Sequence, residues 1–367
     1  MQQKDLQLLQ LIHYEGAGNK TPVLAIDAVI KNLASSPEEV RWQLEKDMTF
    51  RKWLKKQGQK YNADSIMICY KSQDLQYDYV TFVGEPHSDL SSSFSNMCGN
   101  GIRCLALHIV VSENNLQQQK KYLQKGIKIW AGDIKHVKVL NLNRELISAD
   151  VEVNLGKFYS DKDSSFPFLN TSYFNLKSFD AFFLPSELNV PDPFYKRKFG
   201  FGYNGDKFKG EPHLVLLNTL KEYEKLITDL NVDLNLSSKE SILDSLSQVV
   251  CILGKEITFA RKFFPVGINV NVGVFIDNIL YMATHERNLS ESRDMCQAQQ
   301  EKNNNICRCQ TKACGTGGAV ACNIAIRQGY IECSSMTTIH PGGILRFKVE
   351  NKQTIMIGPA RKVEFYD

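Results

Sequence analysis

Two short stretches of this chain hold residues able to do chemistry together. NMCGNGIRC at 96–104 and KACGTGGAV at 312–320 each set a cysteine directly before Gly-x-Gly, at Cys98-Gly99-Asn100-Gly101 and Cys314-Gly315-Thr316-Gly317. The two cysteines are 314 − 98 = 216 residues apart. A helical pattern follows each motif, so each cysteine is expected at a helix start. Such a start presents unpaired backbone N–H groups and about half a positive charge. Glycines leave those N–H groups open to a carboxylate, and the same positive end lowers a thiol from its free pKa of about 8.5. Each motif thus offers a basic sulfur and an anion cradle. Facing one another, the two would form a two-base site: one thiolate removes a proton from a carbon beside a carboxylate, and the opposing thiol returns one to the other face. Helix-start donors aimed at the developing enolate would supply the stabilisation; losing a single oxyanion donor typically costs about 2.7–4 kcal/mol. This chemistry needs no pyridoxal phosphate, metal or nicotinamide.

Blander readings compete. A lone C-G-x-G is a weak signal, and a buried cysteine is commonly a small core residue; recurrence at similar positions in two halves is what favours chemistry. Cys296, Cys307, Cys309 and Cys314 permit a zinc reading, although C-x-C lacks the paired C-x₂₋₄-C spacing of structural sites. A binding module that holds an amino acid without turnover is a third reading, against which stands the retention of both cysteines. His13, His87, His108, His136 and His340 belong to no constellation, and His108 reads as a packed or surface residue of the first helix. Taken alone, His213 reads as a histidine beside a strand, Asn100 and Arg103 as capping or packing residues, and Glu286-Arg287 as an exposed charge pair at a strand end.

The elements that must position the motifs are strand-rich. Runs at 65–70, 77–83, 127–130, 149–155, 213–218, 267–276 and 354–358 alternate or are rich in Val and Ile, as strands with a buried face require. Ile102, Leu105, Ala106 and Ile109 line one helix face, with an end expected near 112–115. AVACNIAIRQG is apolar nearly all round and predicts a stop at Gly329. Two strand-rich halves, each holding a buried helix that starts at a cysteine, amount to an internal duplication. The Phe-, Pro-, Asp- and Ser-rich stretch 161–203 predicts irregular structure near a domain junction, and the polar stretch 288–310 reads as an inserted loop.

The chain's 367 residues suit two domains. With 43% hydrophobic and 23% charged residues and a formal charge of +4 from mixed basic and acidic positions, it shows no basic stripe for nucleic acid. No apolar run approaches the roughly 18 residues of a membrane span, and MQQKDLQLLQLIHYEG lacks a signal-peptide core. The expectation is a cytoplasmic protein whose ten cysteines are thiols, with a small-molecule amino acid as its partner, neither nucleic acid nor membrane, and a homodimer as the assembly to test.

These motifs, with GAGN (16–19), GEPH (210–213), FPVGINV (264–270), HER (285–287), PGG (341–343) and GPA (358–360) in order, resemble the diaminopimelate epimerase family of cofactor-independent amino-acid racemases over nearly the whole chain. The resemblance implies an α+β fold of two pseudo-symmetric domains, each a mixed β-sheet curled around a central α-helix, with the active site between them. The halves would be 1–155, rejoined by 358–367, and 156–357. It implies Cys98 and Cys314 as the acid/base pair, backbone N–H groups of Gly99, Asn100, Gly315 and Thr316 on the reacting carboxylate, and Asn19, Glu211, His213, Asn269, Glu286 and Arg287 lining the site, with no metal and no cofactor. The implied reaction is interconversion of LL- and meso-diaminopimelate, in lysine and peptidoglycan-precursor biosynthesis. The sequence departs from the family at Lys20-Thr21, where Asp-Phe is usual, at 82–96, where a strand and Asn-Ala-Asp-Gly-Ser are usual, and at Glu211, where Asn is usual; it also carries the insertion after Arg287. The extra carboxylate at Glu211 opens an alternative, a racemase of a cationic amino acid such as lysine, ornithine, arginine or histidine.

Overall fold

The structure, a computed structural model, describes residues 3–30, 36–86, 90, 93–165, 167–207, 210–232, 236–287 and 309–364. The chain divides into two compact units, Met1–Asn154 with Ile357–Asp367, and Leu155–Met356. Both boundaries fall inside long strands, Ser148–Tyr159 and Gln353–Lys362.

In the first unit Val23–Ala25 pairs in parallel with Ile66–Lys71, which pairs antiparallel with Tyr79–Gly84. Tyr79–Gly84 then runs parallel to Ile127–Trp130, and that strand antiparallel to Ile134–Asn143. The second unit repeats the pattern. His213–Thr219 is parallel to Asn269–Ile276, which is antiparallel to Ile279–His285; Ile279–His285 is parallel to Ser335–His340, which is antiparallel to Gly343–Glu350. Parallel neighbours need a long crossover, and the crossovers match as well. The first in each unit contains two helices, Pro37–Lys46 and Met48–Lys60 against Leu220–Asp229 and Lys239–Ile257. The second contains the cysteine-glycine helix, Gly99–Ser112 or Gly315–Gln328. The duplication legible in two short motifs is therefore a duplication of whole topology.

Each cysteine-glycine helix packs against strands of its own unit. Gly315–Gln328 touches Phe199–Gly205, His213–Thr219, Asn269–Ile276, Ser335–His340 and Gly343–Glu350, so that sheet must curl around it. Gly315 through Ala325 are all buried, and that explains a helix apolar nearly all round. Strand and helix approach closely where side chains are missing: a Cβ on Gly200 would lie 2.6 Å from Ile324, and one on Gly318 2.4 Å from Phe347. The helix ends at Gly329 in the left-handed conformation, φ 77°, as a C-terminal glycine cap does.

One expectation is corrected within 161–203. Much of it is irregular, with short helical turns, but Phe199–Gly205 is a strand buried at every residue. Its aromatic-glycine alternation, FGFGYNG, resembles a loop in composition because glycine sits where neighbours press in, Ile324 over Gly200 and Phe158 over Gly202. The expected loop at 288–310 lies, save Cys309 and Gln310, outside the described residues. Among the described residues no helix is long and apolar enough to cross a membrane.

Candidate active site

The two cysteines hold matching positions. Cys98 is the N-cap of its helix with extended backbone, φ −135° and ψ 112°, and its sulfur accepts the N–H of Gly101 at 3.3 Å. Cys314 is the N-cap of the other, φ −113° and ψ 110°, and accepts from Gly317 at 3.3 Å. Ser, Thr, Asp and Asn are the usual caps because a short side chain reaches the third helical N–H; here a thiol does so twice. The third position is tight on both sides: a Cβ would fall 2.2 Å from Met67 Sδ at Gly101, a side chain able to move, and 2.3 Å from Asn271 Oδ1 at Gly317, a group fixed by its hydrogen bonds. N–H groups of the first two helical residues, Gly99 and Asn100 or Gly315 and Thr316, have no acceptor within an α-helix.

Around Cys98, GAGN forms a tight hairpin in which Gly16 pairs with Asn19 while Ala17 (φ 50°) and Gly18 (φ 82°) make the turn. Asn19 is buried, and a Cβ on Gly16 would meet Asn100 O at 3.2 Å, so the hairpin packs on the helix start. Arg103 is buried one turn further on; its guanidinium donates to Pro359 O at 2.6 Å and to Asn100 Oδ1. Thus the Asn100 side chain is engaged in packing the helix, and burial pulls the Arg103 pKa down to about 10. Ser65 Oγ lies 3.7 Å from Cys98 Sγ. The segment leading into Cys98 is held by Arg41 and Glu45 of Pro37–Lys46: Arg41 donates to Asn96 Oδ1 and Phe94 O, while Glu45 accepts the Phe94 N–H at 2.8 Å.

Around Cys314 a polar chain runs inward through residues that are all buried. Cys314 Sγ is 3.5 Å from Thr316 Oγ1, Thr316 Oγ1 is 3.0 Å from His213 Nε2, and His213 Nδ1 is 3.1 Å from Asn271 Nδ2. Sheet register brings them together: His213 sits opposite Asn269, with Val215 opposite Asn271. Burial, then the Arg287 cation, push the His213 pKa down to about 3, leaving a neutral imidazole at physiological pH. For Cys314 the expected lowering by a helix start is outweighed. Burial and the Glu286 carboxylate, which accepts a hydrogen bond from the thiol, raise its pKa well above the ordinary range, while Thr316 and Gly317 pull it down.

Glu286 and Arg287 do not form a surface pair. His285 is anchored in the core by Thr258 Oγ1 at 2.9 Å, and the Arg287 N–H donates to Asn269 Oδ1 at 2.9 Å. Arg287 Nη2 instead lies 2.6 Å from Glu211 Oε2, with side chains only 14% and 16% exposed. The insertion does not part this segment from Cys314: Thr284 and His285 pair with Thr311 and Gln310, and the Glu286 N–H donates to Cys309 O at 2.7 Å.

Sequence reasoning missed Asn271, Thr284, Arg41 and Arg261, whose cation lies close enough to Arg287 to help lower its own pKa after burial. For Asn271 a signal existed: it stands two residues after Asn269 in a strand and shares its face. Of the zinc set, Cys309 is buried against Cys251, whereas Cys296 and Cys307 lie outside the described residues. Among the described residues no group of three His, Cys, Asp or Glu could hold a metal. His108 accepts or donates a bond with Tyr14 OH at 3.1 Å and His340 with Thr338 at 2.8 Å, both as packed residues; His87 lies outside the described residues.

No protein-family profile matches the chain. It is 25% identical over 318 residues to a protein of Methanocaldococcus jannaschii named diaminopimelate epimerase, covering 83% of this chain and 86% of that one. Its fold superposes on a probable proline racemase from Agrobacterium radiobacter with a TM-score of 0.60 at 10% identity, over 98% and 92% of the two chains. A hydroxyproline epimerase from Agrobacterium vitis gives a TM-score of 0.56 at 11% identity, over 98% and 89%. The duplicated mixed-sheet fold, with those comparisons, places the chain among isomerases of the racemase and epimerase type. Within that class it is a divergent relative of the diaminopimelate epimerases.

Proposed function

We propose that this chain epimerises an amino-acid α-carbon without a cofactor, using Cys98 and Cys314 as an acid/base pair, and that its substrate is diaminopimelate in the LL and meso forms. The observation that carries the reading is the pair of matching N-caps, in which a thiol replaces the usual cap and accepts the third helical N–H at 3.3 Å in both units. One sulfur takes the α-proton as thiolate and the other gives a proton to the opposite face. Backbone N–H groups of Gly99, Asn100, Gly315 and Thr316 hold the carboxylate as it gains enolate charge, where fixed donors act most strongly. Glu286 suits the substrate ammonium, and Asn19, His213 and Asn269 line the site.

The side-chain end is read from charge. Glu211 alone would repel a second carboxylate, which favours the alternative of a cationic amino acid. Its pairing with Arg287 at 2.6 Å and the neighbouring Arg261 favour the dicarboxylate instead, because two guanidinium groups outweigh one carboxylate. Incubation in deuterated water with LL-diaminopimelate, meso-diaminopimelate, lysine, ornithine, arginine and histidine, followed by mass spectrometry, tests both. Deuterium at the α-carbon of diaminopimelate alone supports the reading. Exchange confined to the cationic amino acids would establish the alternative, and no exchange with any would leave a binding module.

A further inference from the structure

The polar chain behind Cys314 does not stop at the histidine. Asn271 Nδ2 donates both to Leu214 O at 3.1 Å and towards His213 Nδ1 at 3.1 Å, while Asn271 Oδ1 accepts from Thr284 Oγ1 at 2.8 Å. A carbonyl can only accept, so the nitrogen of the amide must face Leu214 O, and the amide orientation is fixed. The second amide hydrogen then points at His213 Nδ1, which must be the unprotonated ring nitrogen. A neutral imidazole carries its hydrogen on the other nitrogen, so Nε2–H donates to Thr316 Oγ1. That occupies an acceptor position of the Thr316 hydroxyl and leaves its hydrogen directed to Cys314 Sγ, 3.5 Å away.

We propose that Asn271, with Thr284 behind it, is a positioning residue that fixes the His213 tautomer and thereby makes Thr316 a hydrogen-bond donor to the Cys314 thiolate. The inference deepens the reading of Cys314 as an acid/base thiol and rests on it. In the thiol state the Cys314 hydrogen goes to Glu286; once it has left, the sulfur keeps two donors, Gly317 N–H and Thr316 O–H. The charged groups facing this chain are Glu286, which opposes ionisation of Cys314, and Arg287, which adds to burial in keeping His213 neutral. Had Nδ1 carried the hydrogen, Thr316 would have to donate to Nε2, and the sulfur would lose that donor.

The test reads ionisation at Cys314 separately from turnover. The pH dependence of iodoacetamide labelling is followed at the Cys314 and Cys98 peptides by mass spectrometry in the wild type, Asn271→Leu, Thr316→Val, Thr316→Ser and Asn271→Leu/Thr316→Val. Losing a hydrogen bond to the charged sulfur should cut Cys314 labelling at fixed pH by about tenfold to a hundredfold in Asn271→Leu and Thr316→Val. Thr316→Ser should restore it, the double variant should fall no further than Thr316→Val, and Cys98 should not change. In the wild type, ¹⁵N NMR should show His213 Nε2 protonated and Nδ1 bare. An unchanged Cys314 profile in natively folded Thr316→Val, equal losses at both cysteines, or a proton on Nδ1 would overturn the proposal. If Asn271→Leu does not fold, Thr316→Val and the wild-type nitrogen spectrum decide. A wild type with this labelling pattern but no α-hydrogen exchange would sink the epimerase reading and leave the relay standing.

Discussion

Glu211 and Arg287, 76 residues apart in sequence, meet at 2.6 Å with both side chains mostly withdrawn from water. The guanidinium that the proposed function assigns to a second substrate carboxylate is already engaged by Glu211, so its strength towards such a substrate would depend on how firmly Glu211 holds it.

Replacing Glu211 by Gln keeps the shape and releases the Arg287 charge. The expected result is a KM for diaminopimelate lower by about threefold to tenfold, an effect of about 1 kcal/mol such as a partly exposed ion pair supplies. Arg261→Leu should act in the opposite sense. Exchange kinetics on both variants check this, and a raised KM in Glu211→Gln would show that Glu211 binds the substrate rather than restraining Arg287.

Each cysteine should be indispensable to inversion. Cys98→Ala and Cys314→Ala are expected to lose about a hundredfold or more of epimerisation rate, the range typical of a removed general acid or base, with far-UV circular dichroism unchanged. Turnover near wild type in either variant would eliminate the two-thiol mechanism.

The burial of His213 makes a prediction about pH. Its pKa is about 3 in the folded chain against about 6.5 when exposed. Between those values the unfolded state binds the extra proton, so stability is full above about pH 6.5 and is lost as pH falls towards 3. From pH 7 to pH 5 this one group should cost about 2 kcal/mol. Urea midpoints at the two pH values should fall less in His213→Gln than in the wild type; equal falls would mean that the imidazole is already protonated or hydrated in the fold.

Three glycines should respond differently to a methyl group. Gly317→Ala drives a Cβ to 2.3 Å from Asn271 Oδ1, an amide held by three hydrogen bonds, and should destabilise by about 1–3 kcal/mol while stopping exchange. Gly101→Ala meets Met67 at 2.2 Å, a flexible side chain that can turn aside, and should cost less. Gly329→Ala meets nothing within 4 Å, and its cost of about 1 kcal/mol comes from a φ of 77° alone. Thermal melts of the three, with exchange assays, check the order.

Local sequence was enough for the two helix starts and for most of the strands around them. The caps at Cys98 and Cys314, the stop at Gly329 and the runs at 66–71, 127–130 and 213–219 follow from periodicity and backbone preference, which act over a few residues. Phe199–Gly205 escaped because its glycines answer to neighbours distant in the chain, Ile324 and Phe158. Residue types alone gave His213 no more claim than the other six histidines, and Asn271 only its place two residues after Asn269 in a strand. Parallel register between His213–Thr219 and Asn269–Ile276 aligned them, and burial on that face left their polar atoms to pair with one another, with Thr316 and Thr284, and with the Leu214 carbonyl. Glu211 and Arg287 likewise became a pair only when the strand starting at His213 and the strand ending at His285 were set on either side of Asn269–Ile276. Which polar groups meet across a sheet is decided by non-local register, and no periodicity within one strand records it.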